Sequence, residues 1–232
     1  MNAIILAAGL GSRFKEITQK THKALLPLPN GIPNIEQTII YLKQAGINEI
    51  HIVTGHLSEQ FKFLQSKYNC HLIYNEFYRK YNSIYSFNCA IDYFGDSFVI
   101  DSDVTLFNNI FSDKCECSKY FLIQRNKSSN KEWIPIIKDN KVVDIIVDNL
   151  ALPSLLGVSF WSKQDALKIK SFIIDYLNDE KLLLNPSLYW DNIPMKFINE
   201  LDVGIKLLTL QDAYEIDNLS EYNFIFNNFK GE

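Results

Sequence analysis

Long apolar runs, a basic surplus and paired cysteines are all missing from this chain, and each absence removes a class of function. No apolar stretch approaches the roughly 18 residues that a membrane-spanning helix requires, so no membrane partner is expected. With 23 Lys and Arg against 27 Asp and Glu, the formal charge is −4. There is no basic stripe to follow a phosphodiester backbone, which argues against a nucleic-acid partner. Four cysteines, Cys70, Cys89, Cys115 and Cys117, are few and irregularly placed, so they do not make a disulfide framework. Cys115-x-Cys117 offers half of a metal site, but no second cysteine or histidine pair lies near it, and structural zinc takes four ligands. The N-terminus shows neither a charged n-region nor a cleavage site, and a cytoplasmic protein with reduced thiols is expected. Internal repeats, low-complexity segments and proline-rich linkers are also lacking.

What remains is ordinary globular composition, 47% hydrophobic and 22% charged over 232 residues, enough for one domain with a sizeable core. Apolar runs alternate with helical periodicity, which predicts an α/β layered fold. Ala3–Leu6 reads as the first strand. Pro33 starts a helix whose stripe Ile35, Ile39, Leu42 runs until Gly46 ends it. Glu49–Thr54, His71–Tyr74 and Ser97–Ile100 read as further strands. A helix capped by Ser58 is expected to run to about Tyr68, and another over Ser83–Tyr93. After about residue 118 the rhythm changes. Tyr120–Gln124, Trp133–Lys138, Val142–Val147 and Leu155–Trp161 read as consecutive strands, with Lys138–Lys141 as a hairpin turn and Lys127–Lys131 as a polar loop. Helices follow at Lys163–Leu177 and Leu219–Asn228. The expectation is a single domain, residues 1–232, with residues 1–117 as a nucleotide-binding half and residues 118–232 as an acceptor-binding half.

The densest signal is N-terminal. The first strand opens into Ala7-Ala8-Gly9-Leu10-Gly11-Ser12-Arg13, and Lys23 follows ten residues after Arg13. Glycines at 9 and 11 let backbone N–H groups close on phosphate oxygens without a Cβ in the way. Arg13 adds a forked donor and Lys23 a point charge. The pattern is neither G-x-G-x-x-G, because position 14 is Phe, nor a P-loop. Read alone, the glycines make only a tight turn; the two cations turn them toward a polyanion. In a parallel α/β sheet ligands bind beyond the carboxyl ends of the strands, where Asp101-Ser102-Asp103 also falls. Asp101 and Asp103 read either as a turn-forming pair or as carboxylates facing the same phosphates.

G-x-G-[ST]-R followed by a lysine at this distance resembles the nucleoside-triphosphate transferases that make nucleotide-sugars and related activated alcohols. Further segments narrow the resemblance: Asn75-Glu-Phe-Tyr78, Tyr81-Asn-Ser-Ile-Tyr85-Ser86, Val99–Asp103, Glu132-Trp133, Gly157-Val-Ser-Phe-Trp161, Tyr189-Trp-Asp-Asn192, Glu200-Leu-Asp202 and Tyr214-Glu-Ile-Asp217. In order and spacing, over nearly the whole length, these resemble the bacterial CTP:phosphocholine cytidylyltransferases. The resemblance implies a Rossmann-like nucleotidyltransferase fold with a mixed, mostly parallel central sheet and a small β layer in the second half. It implies CTP and phosphocholine as substrates and Mg²⁺ as cofactor, with Asp103 as the likelier direct ligand of its pair. A second carboxylate comes from Glu215 or Asp217, which point to one face of an extended segment; otherwise the two cap the last helix. Arg13 and Lys23 are implied as catalytic. Leu6, Ala7, Ala8, Gly9, Gly11, Ser12, Asp101, Asn82 and Ser86 fall at the nucleotide, the last two at the cytosine edge. One departure stands out: His22 occupies the place before the lysine where this family commonly has proline, and the lysine role is unaffected by it.

A trimethylammonium headgroup suits an aromatic cage backed by a carboxylate. Trp133, Tyr189, Trp190 and Asp191 are the candidates, with Tyr78 and Tyr85, and Tyr81, as further aromatic faces. The plainer reading of Trp133 and Trp190 is that they fill the core. Other acceptors of the same chemistry are phosphoethanolamine, 2-aminoethylphosphonate, an amino-acid-derived phosphate and a sugar 1-phosphate. A different class of function is a non-catalytic module that senses the nucleotide.

Overall fold

The computed structural model describes residues 1–14, 17–113, 115–125 and 131–228. Along the first half run β1 (Asn2–Ala7), α1 (Asn34–Gln44), β2 (Ile50–Thr54), α2 (Lys62–Tyr68), β3 (His71–Tyr74), α3 (Ser83–Cys89), β4 (Ser97–Asp101) and β5 (Val104–Leu106). The second half adds β6 (Ser118–Gln124), β7 (Glu132–Lys138), β8 (Lys141–Asp148), β9 (Pro153–Trp161), α4 (Lys163–Leu177), α5 (Glu180–Leu183), α6 (Asn192–Lys196), β10 (Val203–Leu208), β11 (Ala213–Glu215) and α7 (Leu219–Asn228).

The spine is a seven-stranded sheet in the order β10-β6-β9-β4-β1-β2-β3. All its pairings are parallel except those of β9, which runs antiparallel between β4 and β6. Side chains alternate across the pleat, so β1 feeds two cores at once. Ala3, Ile5 and Ala7 pack with Ile35, Ile39 and Leu42 of α1. Ile4 and Leu6 pack on the other face with Ile84 and Phe87 of α3 and with Ala166, Ile169 and Ile173 of α4. A strand covered on both sides must be apolar throughout, which is why β1 reads as a continuous run rather than an alternating one. Each of the Ile, Leu and Phe side chains contributes about 1.5–3 kcal/mol by leaving water.

Several expected elements form with nearly the expected bounds. α4 spans Lys163–Leu177 and is capped by the Ser162 hydroxyl, which accepts from the Asp165 N–H at 3.2 Å. The β7–β8 hairpin turns through Asp139 and Asn140, both left-handed at φ 51° and 61°, a conformation that Asp and Asn tolerate. Other expectations are corrected. Ser58 caps nothing: Leu57 takes φ 52°, and a 3₁₀ turn, Ser58–Phe61, precedes α2. The helix expected over Ser83–Tyr93 ends at Cys89, with a separate 3₁₀ turn at Ile91–Tyr93; that break turns Phe94 back onto Phe87, ring centroids 4.9 Å apart. Of the four strands expected in a second layer, β6 and β9 complete the central sheet, because their interiors are buried. Only the β7–β8 hairpin stands apart. Of the polar stretch Lys127–Lys131, residues 127–130 lie outside the described residues. Among those described, no helix is long and apolar enough to cross a membrane.

Candidate active site

Where β1 and β4 end, the chain must leave the sheet, and both exits open on one cleft of about 790 Å³. From β1 comes the glycine loop. Gly11 sits at φ 63°, and a Cβ there would come within 2.9 Å of Thr18 Cγ2, whereas nothing lies within 4 Å of a Cβ built on Gly9. The loop is therefore tight at Gly11 and open in front of Gly9. Leu6, Ala8, Ser12 and Arg13 line the cleft with the two glycines. The Ala7 side chain faces the α1 core instead, as the pleat requires.

Lys23 is carried to the same place by a 3₁₀ turn, Lys23–Leu25. Its Nζ lies 2.6 Å from Asp103 Oδ2, both side chains 15% exposed. Burial opposes the Lys23 charge, but Asp103 outweighs it and holds the ammonium above its ordinary range. For Asp103, too, burial is overcome by Lys23, and the carboxyl is held below its ordinary range. Arg13 Nη2 lies 2.5 Å from Asp217 Oδ1.

Asp217 follows β11, which pairs antiparallel with β5 and so brings Glu215 opposite Val104. One oxygen each from Asp103, Glu215 and Asp217 lies within 4.8 Å of the others, and among the described residues the buried Asp103 Oδ1 has no hydrogen-bond partner. Three hard oxygen donors with one left unpaired fit a divalent cation. Each carboxylate is meanwhile balanced by a cation, since Arg125 at the end of β6 pairs with Glu215 and lies 3.4 Å from Glu132. Burial still pushes Glu215 up to about 8, helped by Asp103 and Asp217 and opposed by Arg125. Asp101 is driven well up, by burial first and then by Asp103, Asp191 and Glu215.

The wall above α3 departs from expectation. Asn82 Oδ1 accepts from the Ser83 N–H at 2.7 Å and its Nδ2 donates to the Pro186 carbonyl at 2.5 Å. Asn82 still lines the cleft, and each amide atom keeps one further hydrogen-bonding position, so one donor and one acceptor are left to face a base edge. Ser86 accepts from Asn75 at 3.0 Å, which leaves its own hydroxyl proton for the cleft that it lines. Tyr78 lines the cleft with Arg79 stacked 5.2 Å above its ring. Tyr85 packs instead against Phe77 and Tyr81, at 5.4 and 5.0 Å, and is not part of the lining.

At the far end Trp133, on β7, meets Tyr189 edge-to-face at 5.7 Å, and Tyr189 is 43% exposed. Asp191 lies beside them in the lining, its carboxyl pushed up to about 8 by burial. Trp190 differs from its neighbours in kind. It is 2% exposed, stacked on Phe87 at 4.6 Å and edge-on to Trp161 at 6.0 Å. That is a core position at the cleft floor.

Sequence reasoning missed Arg125 and gave no role to Gly157. Arg125 is one of only three arginines in the chain, the others being Arg13 and Arg79, which both line the cleft; their scarcity was the available signal. Gly157 has φ 82°, and a Cβ there would meet Asp101 Oδ2 at 3.1 Å, so glycine is what lets β9 pass under that carboxyl.

Residues 3–108 match the MobA-like NTP transferase domain. The chain is 53% identical over 226 residues to the choline-phosphate cytidylyltransferase of Haemophilus influenzae, covering 97% of this chain and 96% of that protein. It is 42% identical over 233 residues to the choline-phosphate cytidylyltransferase of Streptococcus pneumoniae, with 100% of both chains covered. The solved structure of the CTP:phosphocholine cytidylyltransferase from Streptococcus pneumoniae superposes with a TM-score of 0.91 at 42% identity, over 97% of each chain. The matches run through the glycine loop, the carboxylate cluster and the aromatic corner alike, and the chain belongs to the choline-phosphate cytidylyltransferase family of nucleotidyltransferases.

Proposed function

We propose that this chain joins CTP and phosphocholine to give CDP-choline and pyrophosphate. The observation that carries the reading is that one cleft holds both a cationic glycine loop and an aromatic corner backed by a carboxylate. The loop suits a triphosphate and the corner suits a quaternary ammonium. A phosphocholine oxygen attacks the α-phosphorus in line as the bond to the β-phosphate breaks, and pyrophosphate leaves. The nucleophile is already ionised near neutral pH, so no residue has to remove a proton from it.

Catalysis is then positioning and charge stabilisation. The open backbone at Gly9 admits the phosphates, with Arg13 and Lys23 as fixed positive partners. Asp103, Glu215 and Asp217 hold the magnesium ion, which when bound supplies charge neutralisation to the phosphate oxygens. Ser86 offers a hydroxyl to the base. Trp133, Tyr189 and Asp191 take the headgroup. Residues 1–117 serve mainly the nucleotide and residues 118–232 mainly the acceptor, and the enzyme works in the cytoplasm.

A primary ammonium would call for several free carboxylates. At the aromatic corner Glu132 is paired with Arg125 and Asp191 feels the buried Asp101, so it is the facing rings of Trp133 and Tyr189, rather than a count of carboxylates, that favour the quaternary headgroup. Pyrophosphate release with CTP and Mg²⁺ tests this, run in parallel with phosphocholine, phosphoethanolamine, 2-aminoethylphosphonate and glucose 1-phosphate. Preference for phosphocholine is expected. Activity only with another acceptor discards the headgroup assignment, and nucleotide binding without pyrophosphate release from any of them discards the enzyme.

A further inference from the structure

Beneath the glycine loop lies an imidazole that the reaction does not use. His22 is 1% exposed, with its ring edge-on to Phe61 at 4.9 Å. Its Nδ1 accepts from the Ala24 backbone N–H at 3.1 Å, which starts the 3₁₀ turn carrying Lys23. Its Nε2 faces the Gly9 carbonyl at 3.1 Å. A carbonyl only accepts, so the ring proton sits on Nε2 and donates to Gly9; the two bonds together define one neutral tautomer. The backbone of His22 is tied as well: its N–H donates to Gln60 Oε1 at 3.0 Å, and Gln60 Nε2 donates to the Lys20 carbonyl at 2.6 Å.

The direction of the Gly9 carbonyl matters because a trans peptide is planar and its C=O and N–H point in opposite directions. With the Gly9 oxygen held down toward His22, the N–H of Leu10 points away from the ring, on the open side where Gly9 and Leu10 line the cleft. The same ring sets where the Lys23 turn begins. One side chain therefore fixes a backbone donor and a side-chain cation relative to each other.

We propose that His22 is a positioning residue for the triphosphate, a neutral clamp that holds the glycine loop and the Lys23 turn in register; this rests on reading the cleft as a CTP site. The clamp needs the uncharged ring, because a proton on Nδ1 would remove the acceptor and set a donor against the Ala24 N–H. The surroundings keep it uncharged. Burial pushes its pKa down to about 4, opposed by the Gly9 bond and Asp103 and helped by Lys23 and His56. The dihedrals at His22, φ −62° and ψ 139°, are open to proline, but proline makes neither ring bond and lacks the N–H that donates to Gln60.

Three substitutions separate the two ends of the clamp. His22→Gln keeps a donor near Nε2, His22→Asn keeps an acceptor near Nδ1, and His22→Ala keeps neither. The Gln variant is expected to stay within about threefold of wild type. The Asn variant, which also keeps one end, should do the same, and the Ala variant should raise the KM for CTP by roughly tenfold, with the KM for phosphocholine unchanged. A merely structural role would lower Tm in all three and leave the KM for CTP alone, which overturns the proposal. So does a Gln variant as impaired as the Ala variant. Nitrogen NMR of wild type labelled at its four histidines needs no variant to fold. At about pH 5.5 the imidazole assigned to His22 should remain neutral and protonated on Nε2, and a charged ring or an Nδ1–H tautomer for His22 refutes the clamp. A wild type that releases no pyrophosphate from CTP fails the nucleotide reading instead, and the NMR result still decides the tautomer.

Discussion

At the end of the cleft proposed for the nucleotide, Leu6, Ala8, Gly9, Gly11, Arg13 and Lys23 come from the end of β1 and the run that leaves it. At the acceptor end, Trp133 comes from a hairpin strand, while Tyr189 and Asp191 come from the approach to α6. The first end is made of backbone and fixed charge, held by bonds such as Thr18 Oγ1 to the Gly11 carbonyl at 3.0 Å. The second is made of ring faces and a carboxyl whose charge depends on its surroundings. A contiguous loop is fixed by its own turn chemistry. An aromatic corner exists only once the sheet has brought distant segments together. Damage should therefore look different at the two ends: lost turnover at the first, weakened acceptor binding at the second.

The largest effect is expected at Lys23. Lys23→Ala removes a cation placed where charge develops, and should lower kcat by roughly 10²–10³-fold. Because Lys23 is the partner of the buried Asp103, circular dichroism must accompany the assay to show that the fold survives. Turnover at the wild-type level would take Lys23 out of the chemistry and erase the contrast between the ends.

Next comes a pair that tests the contrast within the acceptor end. Trp133→Ala should raise the KM for phosphocholine with little change in Tm, in keeping with about 0.5–2 kcal/mol for a cation–π contact. Trp190→Ala should instead destabilise the fold by about 3–5 kcal/mol, since that ring is stacked on Phe87 and buried. Thermal melts beside steady-state kinetics distinguish them. If both variants moved only the KM, Trp190 would be a cage wall rather than core.

This pair also marks the limit of the sequence. Trp133 and Trp190 each lie beside an acidic residue, and nothing local tells a ring that faces a cleft from one that faces Phe87 and Trp161. The same holds for Asn82, whose commitment to Pro186 joins segments 104 residues apart, and for Tyr85, which turns to Phe77 and Tyr81. Elements that carry their own signal were legible: the apolar run of β1, the cap and periodicity of α4, the Asp-Asn turn of the hairpin. β5 and β11, three residues each, and β10, interrupted by Gly204 and Lys206, were not. Their pairing lies between distant strands and leaves no periodic trace.

The smallest effect expected is one of pH, and it sharpens the comparison because the carboxyl at the acceptor end bears on the headgroup alone. The Asp191 carboxyl, pushed up to about 8 by burial, is mostly protonated at neutral pH, and a cationic headgroup binds its ionised form. The sign follows: the KM for phosphocholine should fall as pH rises through 8. Between pH 7 and pH 9 the ionised fraction climbs about tenfold, which bounds the change. With no cation bound beside it Glu215 is pushed up to the same range, so the wild-type profile alone does not identify the group. Asp191→Asn does. It should flatten the pH dependence of the KM for phosphocholine. A profile in the Asn variant as steep as in wild type would assign the titration to the carboxylate cluster, and leave the aromatic faces of Trp133 and Tyr189 to hold the headgroup without help from a nearby charge.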